Sequence, residues 1–211
     1  MTSKETEPRP DEAAARQAYH HGSLSGALVE QVRKLIERDG VADFSIAEAC
    51  KAIGVSTAAP YKHFADKHDI LRHVAQTGFG DLTGAMEQAR DGEPKDAVRR
   101  IAGMGKAYVT FATGNPETFK LMFGSTPDLK KDDSTRETGH RCFDVLIEEV
   151  ATFIGADSSA PQSRFQSVLL WTFVHGVASL LIDKDYDAAR IPIDPSVLIE
   201  EATGRLLQEQ R

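Results

Sequence analysis

Apolar residues recur at the spacing of an amphipathic α-helix along most of the chain, and capping or turn residues separate successive runs. The run SLSGALVEQVRKLIERDG predicts a first helix from Ser23 to Gly40, because glycine readily takes the left-handed conformation that closes a helix. No stretch alternates between apolar and polar residues for long enough to predict a strand. The pattern therefore predicts an all-α protein of about nine helices.

Two short helices joined by a tight turn are predicted next. The stretch SIAEACKAIG begins with Ser45, three residues before a glutamate, which is the spacing of a capping box, and Gly54 breaks the run. In the following GVSTAAPYKHFADKHDIL, Pro60 is compatible with a helix only near its beginning. We therefore predict a helix of about two turns, capped by Ser56 or Thr57.

A long helix is predicted after this pair, with Phe64 pointing inward just before it and Asp66 capping it. Two short helices joined by a turn that contains glycine are typical of a helix-turn-helix, whose second helix enters the major groove of DNA. In this chain the turn would present Thr57, Ala58 and Ala59 to the base edges.

The charge pattern allows DNA binding on one face of the protein only. The net charge of −7 indicates that the protein surface as a whole does not attract phosphate groups. Between residues 51 and 73, however, four Lys or Arg and three His residues stand against two Asp residues. A chain that is acidic overall can still be basic on one face.

The same segment carries a family resemblance. The stretch SIAEACKAIGVSTAAPYKHFADKHDIL resembles the DNA-binding domain of the TetR family of transcriptional regulators, and the preceding YHHGSL is similar to the lead-in of one branch. AYVTFATGNPETFKLMFG and WTFVHGVASLL resemble the branch whose ligand domain is named for a Trp-His-Gly signature, here Trp171, His175 and Gly176. The resemblance covers most of residues 19–182. It implies a dimeric, ligand-responsive regulator, most often a repressor, that binds a palindromic double-stranded DNA operator.

The resemblance also implies which residues meet DNA. The groove-facing positions of the family fall on Thr57, Ala58, Ala59, Tyr61 and Lys62. Its phosphate contacts fall on Ser45, Tyr61, His63 and Lys67. Because two alanines offer only methyl contact, sequence discrimination is expected to rest on Thr57, Lys62 and DNA shape. A position in the core is the alternative for Tyr61.

Aromatic and Met side chains gather on successive helices of the C-terminal half, where we expect an apolar cavity for a small-molecule effector. The candidate ligand-binding residues are Met104, Tyr108, Phe111, Met122, Phe123, Phe143, Trp171 and His175. The weak polarity of these faces favours an apolar or aromatic effector, with Tyr108 or His175 supplying a hydrogen bond. An ordinary core is the alternative at each position, and helix packing is the alternative for the Trp171 and His175 pair.

The last two long helices are expected to form a four-helix bundle with those of a second copy. Residues 162–182 are apolar on much of the helix circumference, more than one small domain normally needs to cover. The candidate dimer-interface residues are Phe165, Leu169, Phe173, Gly176, Leu180, Leu198, Ala202 and Leu206. On the last helix, the inner stripe is predicted to consist of Val197, Leu198, Ala202 and Leu206.

The sequence does not favour an enzyme. It contains no phosphate-cradling glycine loop, no nucleophile near a plausible base and no clustered carboxylate pair outside solvated helix faces. His63, His68 and His73 are five residues apart and diverge around a helix, so we expect no metal site and no cofactor. Cys50 and Cys142 are expected to be buried small hydrophobes.

The organisation predicted is a disordered tail at residues 1–18, a helix-turn-helix domain at 19–80 and a ligand-binding and dimerisation domain at 81–211. The N-terminal stretch lacks the apolar segment of a secretory signal, and no run of about 18 apolar residues occurs, so we expect a cytoplasmic protein that does not contact membranes. The alternative function is a helical small-molecule binding or scaffolding protein without sequence-specific DNA binding.

Overall fold

The computed structural model describes residues 10–92, 96–124 and 132–208, with side chains from Leu24 onward. Within these ranges all regular secondary structure is helical, which confirms the all-α prediction and its count of about nine helices. The helices are α1 (Pro10–Asp39), α2 (Ile46–Ala52), α3 (Lys67–Asp91), α4 (Ala97–Gly114), α5 (Pro116–Phe123), α6 (Asp133–Ile154), α7 (Pro161–Ile182), α8 (Asp185–Ala188) and α9 (Pro195–Gln208), with a 3-10 helix at Pro60–Lys62.

The first helix is longer than its apolar pattern predicts. It ends at Asp39, where Gly40 takes a φ of 85°, as the sequence predicts, but it begins at Pro10, so the predicted start at Ser23 is wrong. Residues 10–18, predicted as part of the tail, begin with a proline and two acidic residues and continue through three alanines. All of these favour the first turns of a helix. Residues 1–9 of the predicted tail lie outside the described residues.

The chain divides into two compact units, Met1–Val74 and Ala75–Arg211, and the division falls inside α3, the helix that also contains residue 80. In the first unit α1 packs against α2. Phe64 is 2% exposed and Ile70 is fully buried, so the inward position predicted for Phe64 is confirmed. Cys50 is a free, buried thiol in the same core.

In the second unit α4 is the central helix, because it contacts α5, α6, α7 and α9. Gly105 allows this close packing: a Cβ atom at this position would lie 3.0 Å from Ile199 Cγ2 and 3.1 Å from Val174 Cγ1. Both distances are shorter than ordinary van der Waals contact, so a larger residue at position 105 would push α4 away from α7 and α9.

The inner face of α9 differs from the predicted stripe. The structure buries Ile199, Thr203 and Leu207, which are four residues apart and so lie on one face. Val197 is 57% exposed, so the prediction that it lies on the inner stripe is wrong. The other predicted stripe residues are half-buried, and they are Leu198, Ala202 and Leu206. Apolar residues lie around much of the circumference of this helix, so each of several faces could be the buried one. The periodic pattern alone does not determine which face packs against the core.

Helix α7 is apolar around most of its circumference, but a single chain covers only part of it. Within an 18-residue window of mean hydropathy 1.6, 33% of the residues are buried. By length and composition α7 is the one helix in the described part of the chain that could cross a membrane, a property that core helices of soluble proteins share. Its exposed apolar residues are Phe165, Val168, Leu169 and Leu180.

Candidate DNA-reading surface and effector cavity

Ser45 holds the first turn of α2. Its hydroxyl oxygen accepts a hydrogen bond from the backbone N–H of Glu48 at 3.3 Å, which confirms Ser45 as the N-cap. In a capping box, the Glu48 carboxylate would also accept from the backbone N–H of Ser45. Here the carboxylate accepts from the Arg38 guanidinium at 2.9 Å. This hydrogen bond holds the pKa of Glu48 below its usual value. The pair therefore ties the end of α1 to the beginning of α2.

The segment between α2 and α3 is tighter than predicted. Gly54 takes a φ of 73°, and the N–H of Ala59 donates to the Ser56 carbonyl at 3.0 Å, closing a turn. Pro60 then begins a 3-10 helix of three residues whose N-cap is Ala59. The predicted helix of two turns capped by Ser56 or Thr57 is therefore wrong. Proline suits the first position of such a helix because its φ is fixed and its missing N–H would have no partner there.

This segment presents polar and aromatic side chains to solvent. Tyr61 is 55% exposed, which excludes the alternative that it is a core aromatic. Thr57, Ala58 and Lys62 are also exposed. Ala59 and His63 are half-buried. The residues that the family resemblance assigns to the base edges thus lie on the outer side of a turn anchored by the buried Pro60 and Phe64.

Lys67 begins α3 in contact with the loop before α2. Its ammonium group lies 4.1 Å from the centroid of the Phe44 ring and 3.5 Å from the Phe44 carbonyl oxygen. The side chain of Asp66 accepts from the N–H of Asp69 at 2.7 Å, which confirms Asp66 as the cap of this helix. Lys67 is half-buried, so its charge is held close to the protein surface.

The second unit encloses a cavity of about 450 Å³. Helices α3 to α7 and α9 all contribute residues to its wall. Six of the eight predicted ligand-binding residues line it, namely Met104, Tyr108, Met122, Phe123, Phe143 and Trp171. Phe111 is buried and His175 is half-buried, and neither belongs to the lining.

Tyr108 connects the predicted aromatic residues. The indole N–H of Trp171 donates to the Tyr108 hydroxyl at 3.3 Å, and this hydroxyl lies 2.8 Å from His175 Nδ1. Burial lowers the pKa of His175 and raises the pKa of Tyr108, so both groups are neutral at neutral pH. In the neutral tautomer with its proton on Nε2, His175 accepts at Nδ1 from the Tyr108 hydroxyl, which is the arrangement that both distances fit. The Tyr108 hydroxyl thus has two hydrogen-bond partners within the protein, Trp171 and His175.

Sulfur-containing side chains form another part of the wall, and the sequence analysis missed two of them. Met86 and Cys142 line the cavity with their sulfur atoms 4.0 Å apart. Burial raises the pKa of the Cys142 thiol to about 11, so it stays protonated and behaves as the small hydrophobe that was predicted. Periodicity marks both residues as inward-facing, but it does not separate a cavity wall from a packed core.

The predicted dimer-interface residues lie, by their spacing, on one face of α7 and one face of α9. Phe165 is 63% exposed, and Leu169 and Leu180 are exposed as well. The remaining predicted residues are half-buried, and they are Phe173, Gly176, Leu198, Ala202 and Leu206. At Gly176 a Cβ atom would meet nothing within 4 Å of its own chain.

A helix-turn-helix with exposed polar side chains, joined in one chain to a helical unit around an apolar cavity, defines a class of ligand-responsive DNA-binding regulators. The chain belongs to the TetR family, because residues 101–206 match the family model described as the tetracyclin repressor-like C-terminal domain. Proteins of this family bind DNA and small-molecule ligands and form dimers.

The comparisons extend over nearly the whole chain. The HTH-type transcriptional regulator Rv1816 of Mycobacterium tuberculosis is 25% identical over 214 residues, which cover 87% of this chain and 91% of the relative. A solved protein of unknown function from Rhodococcus sp. RHA1 is 30% identical with a TM-score of 0.76, covering 92% of this chain and 98% of that one. The regulator FadR of Bacillus subtilis, solved in complex with stearoyl-CoA, shares the fold at 15% identity and a TM-score of 0.63, covering 86% and 96%.

Proposed function

We propose that this protein is a cytoplasmic repressor that binds a palindromic operator as a dimer and leaves it when a small apolar or aromatic effector fills the cavity. The observation that carries the proposal is the cavity of about 450 Å³, whose volume lies in the range of small-molecule sites. We also assign the chain to the Trp-His-Gly branch, since Trp171 lines the cavity and His175 bonds to Tyr108.

On the DNA side, Thr57, Ala58, Ala59, Tyr61 and Lys62 would face the groove. Phosphates would be contacted by Ser45, Tyr61, His63 and Lys67. Ser45 and Lys67 have known contacts in the free protein, because Ser45 caps α2 and Lys67 lies against Phe44. Ser45 can keep its cap and still donate its hydroxyl proton to a phosphate. The affinity for duplex DNA should fall steeply with salt concentration if the protein is a DNA-binding regulator. A helical scaffold has no phosphate contacts and should show no such dependence.

The dimer is testable at Gly176. A glutamate there meets no atom of its own chain at the Cβ position, so its effect reports on a second copy. We expect Gly176→Glu to elute as a monomer from a sizing column and to lose operator binding, because a charge would be buried between two α7 helices. Gly80→Glu adds the same charge at another open position and should remain a dimer. An intact Gly176→Glu dimer would place this face within the subunit.

Regulation requires that the effector bind the DNA-incompetent arrangement more tightly, because equal affinity for both arrangements shifts nothing. Helix α3 is the natural route, since one continuous helix carries Lys67 at its beginning and the cavity residues Phe79 and Met86 further along. A tilt of α3 would change the separation of the two reading segments, ideally about 34–36 Å for adjacent major-groove turns.

The test begins with mass spectrometry of small molecules that co-purify from cell extract. Release of operator DNA by the identified molecule is then compared between the native protein and Trp171→Ala. We expect Trp171→Ala to need more ligand, because Trp171 is part of the cavity wall. Tyr186→Ala removes a half-buried aromatic outside the lining and should behave as the native protein. Release of Trp171→Ala at an unchanged concentration would move the effector site elsewhere.

A further inference from the structure

Two of the described cavity-lining residues, Arg136 and His140, are exposed and carry side-chain nitrogen donors, and their placement indicates the chemistry of the ligand. We propose that the effector is an amphiphile with an acidic head group, of the carboxylate type, held by Arg136 and His140 at the cavity mouth while its apolar body fills the interior. This inference rests on the proposed function, in which the cavity binds the effector.

The mouth is located by exposure. Among the described lining residues, Arg136 and His140 are exposed, and all others are buried or half-buried. Arg136 and His140 are four residues apart on α6, so their side chains share one face, and Phe143 continues that face into the lining. A ligand therefore enters past two nitrogen donors and then meets an aromatic ring.

The donors at the mouth face no acidic side chain of the wall. Within the described part of the chain, no Asp or Glu lines the cavity. Arg136 Nη2 does pair with Asp133 Oδ1 at 2.6 Å, but Asp133 is 88% exposed and lies outside the lining. A guanidinium has five N–H donors in a fork that suits a carboxylate, so this pair leaves others for a ligand. His140 adds a ring N–H donor.

Among the described lining residues, the interior carries no charged side chain, and its hydroxyl groups are those of Tyr108, Thr135 and Thr203. The Tyr108 hydroxyl is occupied by Trp171 and His175. The Thr135 hydroxyl donates to Asp132 at 2.8 Å and accepts from Gln76 at 3.2 Å. An anion placed deep in the cavity would lose its hydration without gaining a guanidinium or imidazole partner, which is costly. The head group must therefore stay at the mouth, and the interior selects an apolar body.

The chain supplies its own reporter, because Trp171 is its single tryptophan and lines the cavity. Binding of decanoate, 1-decanol and decylammonium to the native dimer is measured by Trp171 fluorescence and by calorimetry, at concentrations below micelle formation. The three probes share an apolar chain and differ in the head group. We expect decanoate to bind most tightly, decanol more weakly and decylammonium most weakly.

Substitutions at the mouth localise the effect. Arg136→Gln and His140→Gln should each weaken decanoate binding by about three- to tenfold and leave decanol unchanged, as expected for a charged partner lost at a partly exposed site. Arg141→Gln removes a neighbouring exposed charge on α6 that does not line the cavity, and it should change neither affinity.

The possible outcomes separate the two proposals. Equal affinity for decanoate and decanol, or equal weakening of both probes by Arg136→Gln, would overturn the acidic head group while leaving the cavity as an effector site. Absence of any calorimetric or fluorescence response to all three probes would count against the effector cavity itself. Loss of decanoate affinity in Arg141→Gln would show that general surface charge, and not the mouth, attracts the ligand.

Discussion

Residues 45–67 of the first unit turn most of their polar side chains toward solvent, whereas the second unit turns its aromatic and sulfur side chains inward around a cavity. The first surface is continuous in sequence. The second is assembled from six helices that extend from Phe79 to Thr203. A surface that reads DNA must have a fixed shape, but a ligand site must hold empty volume, and the two requirements place different demands on packing.

The largest difference is expected from truncating buried side chains in the two units. Ile70 and Met104 are both fully buried, but Met104 borders the cavity. Ile70→Ala should lower the free energy of unfolding by about 2–5 kcal/mol, because it opens a new void in a packed core. Met104→Ala should cost less, since part of its surface already lacks packing partners.

Urea unfolding of both variants, followed by circular dichroism, measures this difference. Ile70→Val serves as the control, because it removes one methylene and should cost about 0.5–1.5 kcal/mol. If Met104→Ala lowers the free energy of unfolding as much as Ile70→Ala does, the cavity is filled or closed in solution. The contrast between a packed first unit and a second unit with a cavity would then be wrong.

A second effect separates two lysines of the DNA-reading unit. Lys62→Ala should change the preference among operator variants by about 1–3 kcal/mol at one base pair if Lys62 reads a base edge. Lys67→Ala should weaken binding to all sequences alike and lower the slope of log affinity against log salt by about one, because a phosphate contact carries no base information.

Titrations of operator variants at several salt concentrations test both lysines. Equal losses for Lys62→Ala on every variant would reassign Lys62 to a phosphate. Unchanged affinity and slope for Lys67→Ala would remove Lys67 from the interface, and its contact with Phe44 would then be its whole role.

A smaller effect is expected from Gly54, in the turn that precedes Thr57. Gly54 has open space around its Cβ position but a φ of 73°, so Gly54→Ala should cost about 1–2 kcal/mol through backbone strain alone. Gly26 has equally open space but lies inside α1, where Gly26→Ala should stabilise the protein by about 0.5–1 kcal/mol. Opposite signs in thermal unfolding would confirm that conformation, and not space, requires glycine at position 54.

The sequence predicts the local features of the first unit well, because each depends on neighbours in the chain. Ser45 and Asp66 as caps and Phe64 as an inward residue follow from spacing of three or four residues. The 3-10 helix was missed, because a proline fixes where a helix begins but not how far it continues.

The second unit is less predictable for a different reason. Met104 and Phe111 have the same periodic signature on α4, yet Met104 lines the cavity and Phe111 does not. The distinction depends on which side of α4 faces which neighbouring helix, and that is a property of the assembled unit. Val197 was misplaced on α9 for the same reason, because apolar residues surround much of that helix.

The smallest expected effect concerns His175, the half-buried histidine that contacts Tyr108. Burial lowers the pKa of His175 below its ordinary value of 6.5, and its Nδ1 accepts from Tyr108 in the neutral form. As the pH falls below 6.5, the unfolded chain binds a proton at this residue before the folded chain does. The contribution of His175 is therefore fully present above its unfolded pKa and is lost as the pH falls through its folded pKa.

Unfolding midpoints in urea at about pH 7.5 and about pH 5 measure this loss. His175→Gln keeps an acceptor for the Tyr108 hydroxyl without the titrating ring, so its midpoint should fall less between the two pH values than that of the native protein. His68→Gln, at an exposed position of the first unit, should show the same change in urea midpoint between the two pH values as the native protein. The same pH dependence in the native protein and in His175→Gln would show that acid sensitivity arises elsewhere, and not from the burial of His175.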